Sequence, residues 1–139
     1  MTAYERGLAL LNQIHGGHAG EALVAAQREI CPDFATMSIE WAMGGIMARP
    51  GLDLKTRQLV TIAACVTLGH AQPQLVAHTQ GALAVGATRD EIIETILQTL
   101  FYAGGAAVAN ALQAVRATLA LPHDGSEVAT RRDEPIAGR

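Results

Sequence analysis

Apolar residues recur along this chain at helical spacing and are punctuated by Gly and Pro. Leu8, Leu11 and Ile14 predict a first helix over about Ala3 to His15, stopped by Gly16-Gly17. A second is expected from Ala19 to Ile30, ending before Pro32, which cannot continue it. Asp33 is placed to cap a third, whose Phe34, Met37, Trp41 and Ile46 are expected to face the core. The turn RPGLD (Arg49 to Asp53) then supplies Asp53 as N-cap for the helix LKTRQLVTIAACVTLG. Pro73 suits the first turn of the next helix and Gly86 its end. TRDE (Thr88 to Glu91) is a capping box that opens IIETILQTLFYA, broken at Gly104-Gly105. A last helix runs from about Ala106 to Leu121. The pattern predicts an all-α, single-domain bundle of about six or seven helices over residues 1–121. The charged, Pro- and Gly-containing tail 122–139 is expected to be flexible, or ordered only against another subunit.

Composition agrees with a helical reading. Half of the 139 residues are hydrophobic but only 4% are aromatic, so the core must be built from Ala, Leu, Ile and Val. Ala is the best helix former, and the β-branched and aromatic mix of sheets is missing. Such small side chains let helices approach closely and point to a partner subunit that finishes burying their apolar faces. The net charge of -3, with no basic cluster beyond Arg131-Arg132, argues against a nucleic-acid surface. No uninterrupted apolar run is long enough to span a membrane, and no basic segment followed by a long apolar stretch marks a secretory signal. Cys31 and Cys65 form no CxxC pair and read as reduced thiols of a cytoplasmic protein.

Candidate chemistry concentrates around two histidines. Leu75, His78, Ala82 and Val85 share one helix face, which turns His78 toward a core or cleft. A neutral imidazole there can exchange protons near neutral pH; equally, it can be a core histidine bonded to a carbonyl. His70 lies just past a helix end, where the dipole favours a cation. Eight residues across a Pro-containing turn is not the i, i+4 spacing of a zinc-binding pair, and no Asp or Glu occurs between Gln58 and Asp90. No metal site is expected. Gln58 shares a stripe with Ile62 and Cys65, a polar group pointing where apolar ones point. Cys65 has no charged neighbour within a turn and reads as structural. Glu94, Gln98 and Tyr102 line the side opposite Ile92 and Ile96. Tyr102, beside Gly104-Gly105, either borders a ligand or marks close helix packing. Neither Ser38 nor Ser126 sits in a nucleophile elbow, and GGHAG (Gly16 to Gly20) lacks the features of a phosphate loop.

The order RPGLDLKTRQLVTIAACVTLG, then LVAHTQGALAVGATRDEIIETILQTLFYAGGAAVANAL, resembles the carboxymuconolactone decarboxylase family, with its alkylhydroperoxidase D-like fold. The resemblance covers about Ile46 to Ala117. Family members of the peroxidase branch use a CxxC pair, a His after three intervening residues and a Glu one helix earlier. Here those positions fall on Ala71 and Gln74, on His78 and near Gln58, so the resemblance does not extend to thiol peroxidase chemistry. The decarboxylase branch has an acid where Gln74 stands, an Arg where Gln80 stands and Asn-Asn at Ala84-Val85. A pocket so changed is less positive and more apolar, suited to a substrate less acidic or bulkier than the dianionic lactone. Arg49, Lys55 and Arg57 remain as anion contacts or as plain surface charges.

The resemblance implies a cofactor-free enzyme acting on a small lactone, carbonyl or carboxylated compound, by decarboxylation or a related isomerisation or cyclisation. His78 would be the acid–base, Gln58, Gln74 and Gln80 would bind or orient substrate, and Tyr102 would line the pocket. It also implies a homo-oligomer, a trimer or hexamer. The alternatives are an oligomeric binding or scaffold protein that has lost its site, and a redox protein using Cys31 or Cys65.

Overall fold

The computed structural model describes residues 1–120, which form helices and short connections, with no strand among them. The tail read as flexible, 122–139, lies outside the described residues. In chain order the elements are α1 (Ala3–His15), α2 (Ala19–Gln27), α3 (Pro32–Met37), a π-helix (Ser38–Met47), α4 (Leu54–Leu68), α5 (Gln72–Ala84), α6 (Arg89–Gln98), α7 (Leu100–Ala103) and α8 (Gly105–Ala120).

Local chemistry sets most boundaries. Thr2 and Glu5 form a reciprocal capping box at α1, and Thr88 and Glu91 form another at α6. Asp53 accepts the Thr56 amide at 2.7 Å and so starts α4, as its position after RPGL predicts. Gly69 ends α4 in the left-handed conformation at φ 79°, which turns the chain back into α5. A break at Thr99, which the periodicity does not announce, separates α6 from α7. Helix α2 ends at Gln27, three residues short of the expected Ile30, and gives way to a turn.

The segment after α2 departs from expectation. Cys31, not Asp33, is the N-cap of α3, and Pro32 opens the helix; Asp33 instead lies in the first turn, where the dipole favours a carboxylate. From Ser38 the helix widens to π geometry, which alters the angle between successive side chains. Phe34 and Met37 of α3 and Trp41 and Ile46 of the π-helix, all expected in the core, are exposed, Trp41 by 71%. Ala35, Ile39, Met43 and Gly44 are buried in their place. The physical reason is the crossing with α1. A Cβ on Gly44 would collide with the Ala3 carbonyl, and one on Gly7 with the Ile39 carbonyl, so only glycines admit this approach.

The main core lies among α4, α5, α6 and α8, where Ile62, Val66, Leu75, Ile92, Ile96 and Val115 are almost fully buried. Each such side chain contributes about 1.5–3 kcal/mol by leaving water. Helices α4 and α5 are packed together within it, and α1 lies across α5. That arrangement brings Gln58, His78 and His15 to one place.

Candidate active site

Gln58 stands one turn into α4, and its side chain is wholly buried on the stripe it shares with Ile62 and Cys65. His78 is half-buried on the α5 face that also carries the buried Leu75 and Ala82. Its Nδ1 lies 2.9 Å from Gln58 Oε1. With the Gln58 amide in this orientation its oxygen accepts, so Nδ1 carries the proton and donates it, leaving Nε2 with its lone pair free. Gln58 Nε2 is buried without a hydrogen-bond partner among the described residues. Turning the amide over would orphan Oε1 instead, so one buried polar atom stays unpaired in either orientation.

Burial, and secondarily the facing His15, lower the pKa of His78 to about 4. The imidazole is therefore neutral at pH 7, a base at Nε2 rather than a ready acid. His15, in the last turn of α1, meets it edge-on, with ring centroids 5.8 Å apart and planes at 71°. Burial lowers the pKa of His15 too. Gly81 provides the space beneath, since a Cβ there would come within 3.0 Å of His15 Cε1 and 3.4 Å of Gln58 Oε1. Sequence reasoning missed His15. Its local pattern says only that a cation-capable residue ends a helix, and its role arises from a crossing between distant segments.

A groove of about 610 Å³ opens beside the pair, between α1, α2 and α5. Its walls include Leu11, Ile14 and Leu23 with the polar Gln13, His15 and Gln80. His78 is not on these walls, so His15 is the imidazole that the groove presents. Gln80 is exposed and lines the groove, as does Ala84. Gln74, one turn before His78, is exposed. Tyr102 is 96% exposed on α7, tilted against Phe101, and lies outside the groove. A second concavity of about 390 Å³ lies along α6 and α7, lined by Glu94, Leu97, Gln98, Leu100 and Phe101.

The remaining candidates have structural explanations. Lys55 pairs with Glu91 at 2.9 Å, and Arg57 donates to the carbonyls of Arg49 and Leu52, tying down the RPGLD turn. His70 is exposed beyond the Gly69 cap. Cys31 is exposed and Cys65 buried, both free, and burial raises the Cys65 thiol pKa away from reactivity. Among the described residues, no group of three His, Cys, Asp or Glu side chains is placed to hold a metal ion, and no helix is long and apolar enough to cross a membrane.

An all-α domain that aims a neutral imidazole and a buried carboxamide at one point belongs to a class whose site is set by helix packing alone. The chain belongs to the carboxymuconolactone decarboxylase family, whose model matches residues 32–117. It is 33% identical over 101 residues to the 4-carboxymuconolactone decarboxylase of Acinetobacter baylyi, covering 73% of this chain and 75% of the relative. An uncharacterized 15.0 kDa protein of Paracoccus denitrificans is 38% identical over 96 residues, 68% of this chain and 72% of the relative. The nitrosuccinic acid decarboxylase of Metarhizium robertsii is 42% identical over 66 residues, 47% of this chain and 45% of the relative. Gln58 and His78 fall inside the family match, whereas His15 and all of α1 precede it.

Proposed function

We propose that this chain is a decarboxylase working by proton transfer, without a cofactor, on a small carboxylated lactone, carbonyl or similarly activated acid. The observation that carries the reading is the 2.9 Å contact between His78 Nδ1 and Gln58 Oε1, which fixes the imidazole and leaves Nε2 for substrate. When a carboxylate departs as carbon dioxide, the electron pair of the broken carbon–carbon bond passes into a neighbouring electron-withdrawing group. His78 Nε2 takes up a proton from solvent when the substrate binds, and the resulting carbanion or enolate then takes that proton. Gln58 orients the ring, while Gln74 and Gln80, from the same helix, contact substrate. The surface position of Tyr102 leaves it out of this site. Isomerisation or cyclisation would use the same proton donor. Membership of the family and kinship to decarboxylases of two different acids support decarboxylation.

The protein works in this reading as a cytoplasmic homo-oligomer, a trimer or hexamer. Exposed Trp41, Val60, Leu100 and Phe101 supply apolar surface for subunit contact. Sedimentation of the full chain tests that assembly.

Carbon dioxide release from a panel of lactone, β-keto and nitro acids, headed by 4-carboxymuconolactone and nitrosuccinate, tests the activity. We expect turnover of at least one acid, lowered about 100-fold or more in His78→Ala with helix content unchanged. Undiminished turnover by His78→Ala would contradict the assignment. A wild-type protein inactive on the whole panel would favour the binding-protein alternative.

A further inference from the structure

We propose that His15 is a second substrate-binding imidazole: facing the groove, with His78 edge-on behind it, it holds the carboxylate of a small anionic substrate, and the pair takes up one proton from solvent as that anion binds. The inference rests on the proposed decarboxylase reading and names its substrate class as a small carboxylate anion.

The charge inventory around the site leaves this task to the histidines. From Gln58 to Thr88 there is no Asp, Glu, Lys or Arg, so α5 carries no charged side chain other than what His78 can become. The charges on the elements packed against α5 are engaged or exposed. On α4, Lys55 is paired with Glu91 of α6, and Arg57 bonds backbone carbonyls. On α1, Glu5 caps its own helix and Arg6 bonds the carbonyls of Gly44 and Met1. Arg89, Asp90 and Glu94 of α6 and Arg116 of α8 are exposed, as is Glu21 on α2 against α1. Neither imidazole has a carboxylate partner among the described residues. The groove walls likewise contain no Lys or Arg.

An anion entering this groove therefore meets its countercharge only if an imidazole is protonated. The geometry suits that event. His15 faces the groove, its ring edge-on to His78, and Gly81 leaves room where any side chain would crowd His15 and Gln58. Gln58 also holds a buried amide hydrogen donor with no partner, which an incoming oxygen would relieve if the amide shifts. Burial keeps both imidazoles neutral in the empty site, and a bound carboxylate favours their charged forms.

The same event supplies the chemistry with its proton. Empty, and with Gln58 Oε1 facing its ring, His78 holds its proton on Nδ1 and has none to give at Nε2. Binding of R–COO⁻ brings one solvent proton to the pair, and His78 in its doubly protonated form carries it on Nε2. The carbon–carbon bond then breaks, carbon dioxide leaves uncharged, and the electron pair on carbon takes the Nε2 proton. His78 returns to its neutral Nδ1–H form, and one proton is consumed per carbon dioxide released.

Succinate serves as the probe, with neutral dimethyl succinate as control, on the full chain carrying ¹⁵N-labelled histidine. We expect succinate to raise the titration pH of both His15 and His78 in imidazole NMR spectra, and calorimetry in buffers of different ionisation enthalpy to show proton uptake. The diester should do neither. His15→Phe, which keeps a ring in the crossing, should weaken succinate about tenfold or more, the size of one charge-assisted hydrogen bond. Unmoved His15 signals, wild-type affinity in His15→Phe, or no succinate binding by the wild type would each overturn the proposal. Turnover retained by His78→Ala would instead overturn the decarboxylase reading, so the two failures are distinct.

Discussion

Gly81→Ala adds one methyl group where α5 meets α1, directly under the imidazole pair. The new Cβ would lie 2.7 Å from Ile14 Cγ2 and 3.0 Å from His15 Cε1, against an optimum of about 3.5–4.0 Å between carbon atoms. Ile14 is 2% exposed in the crossing, so its side chain must turn toward the groove it lines, α1 and α5 must separate, or His15 must rotate away. Two opposing magnitudes set the outcome. Replacing glycine by alanine inside a helix gains about 1 kcal/mol of propensity, whereas overpacking a close contact costs about 1–3 kcal/mol. The collision wins, by about 1 kcal/mol. For a domain of this size that lowers the midpoint of thermal unfolding by about 3–5 °C, measured by circular dichroism on both proteins in parallel. The imidazole resonances of His15 and His78 should shift at the same time. An unchanged or raised midpoint would refute the reasoning, because it would mean that the space above Gly81 is open and propensity alone decides.

Stability should also follow the titration of His78. Its folded pKa of about 4 lies below the ordinary 6.5, so the unfolded chain binds more protons between those values. Its contribution is fully present above pH 6.5 and is lost as pH falls toward 4, by about 3 kcal/mol in all. Urea midpoints at several pH values check this, and wild type and His78→Gln losing stability equally across that window would disprove it. Gln58→Leu keeps the volume but removes the acceptor of the Nδ1 proton, so ¹⁵N shifts should report His78 moving from its Nδ1–H form toward Nε2–H. Retention of a pure Nδ1–H form would show that another group fixes the ring.

The elements that the sequence announces are those whose signals are local. The capping boxes at Thr2 and Thr88, the Asp53 cap and the Gly104 break act over three or four residues, and each falls where it acts in the structure; all but the Thr2 box were legible beforehand. The buried stripe through Gln58, Ile62 and Cys65 was legible for the same reason, since regular helix geometry fixes which residues share a face. Two features were not. Phe34, Met37, Trp41 and Ile46 turn outward because this stretch packs its other side on α1 through the close Gly7–Gly44 approach, between segments far apart in sequence. His15 reaches His78 only through the crossing of α1 over α5, so no spacing rule connects them. The placement of Gln58 against His78 stands between these cases. Each residue pointed inward by periodicity, but their hydrogen bond needed the packing of α4 on α5.

The central claim is that His78 delivers a proton to the carbon that loses carbon dioxide. Decarboxylation run in D₂O measures that delivery, once the acid turned over is identified. The account predicts one deuterium per product on that carbon, with a single stereochemistry wherever the carbon is stereogenic or prochiral, and loss of both rate and stereochemical preference in His78→Ala. Stereospecific deuteration by His78→Ala at the wild-type rate would contradict it.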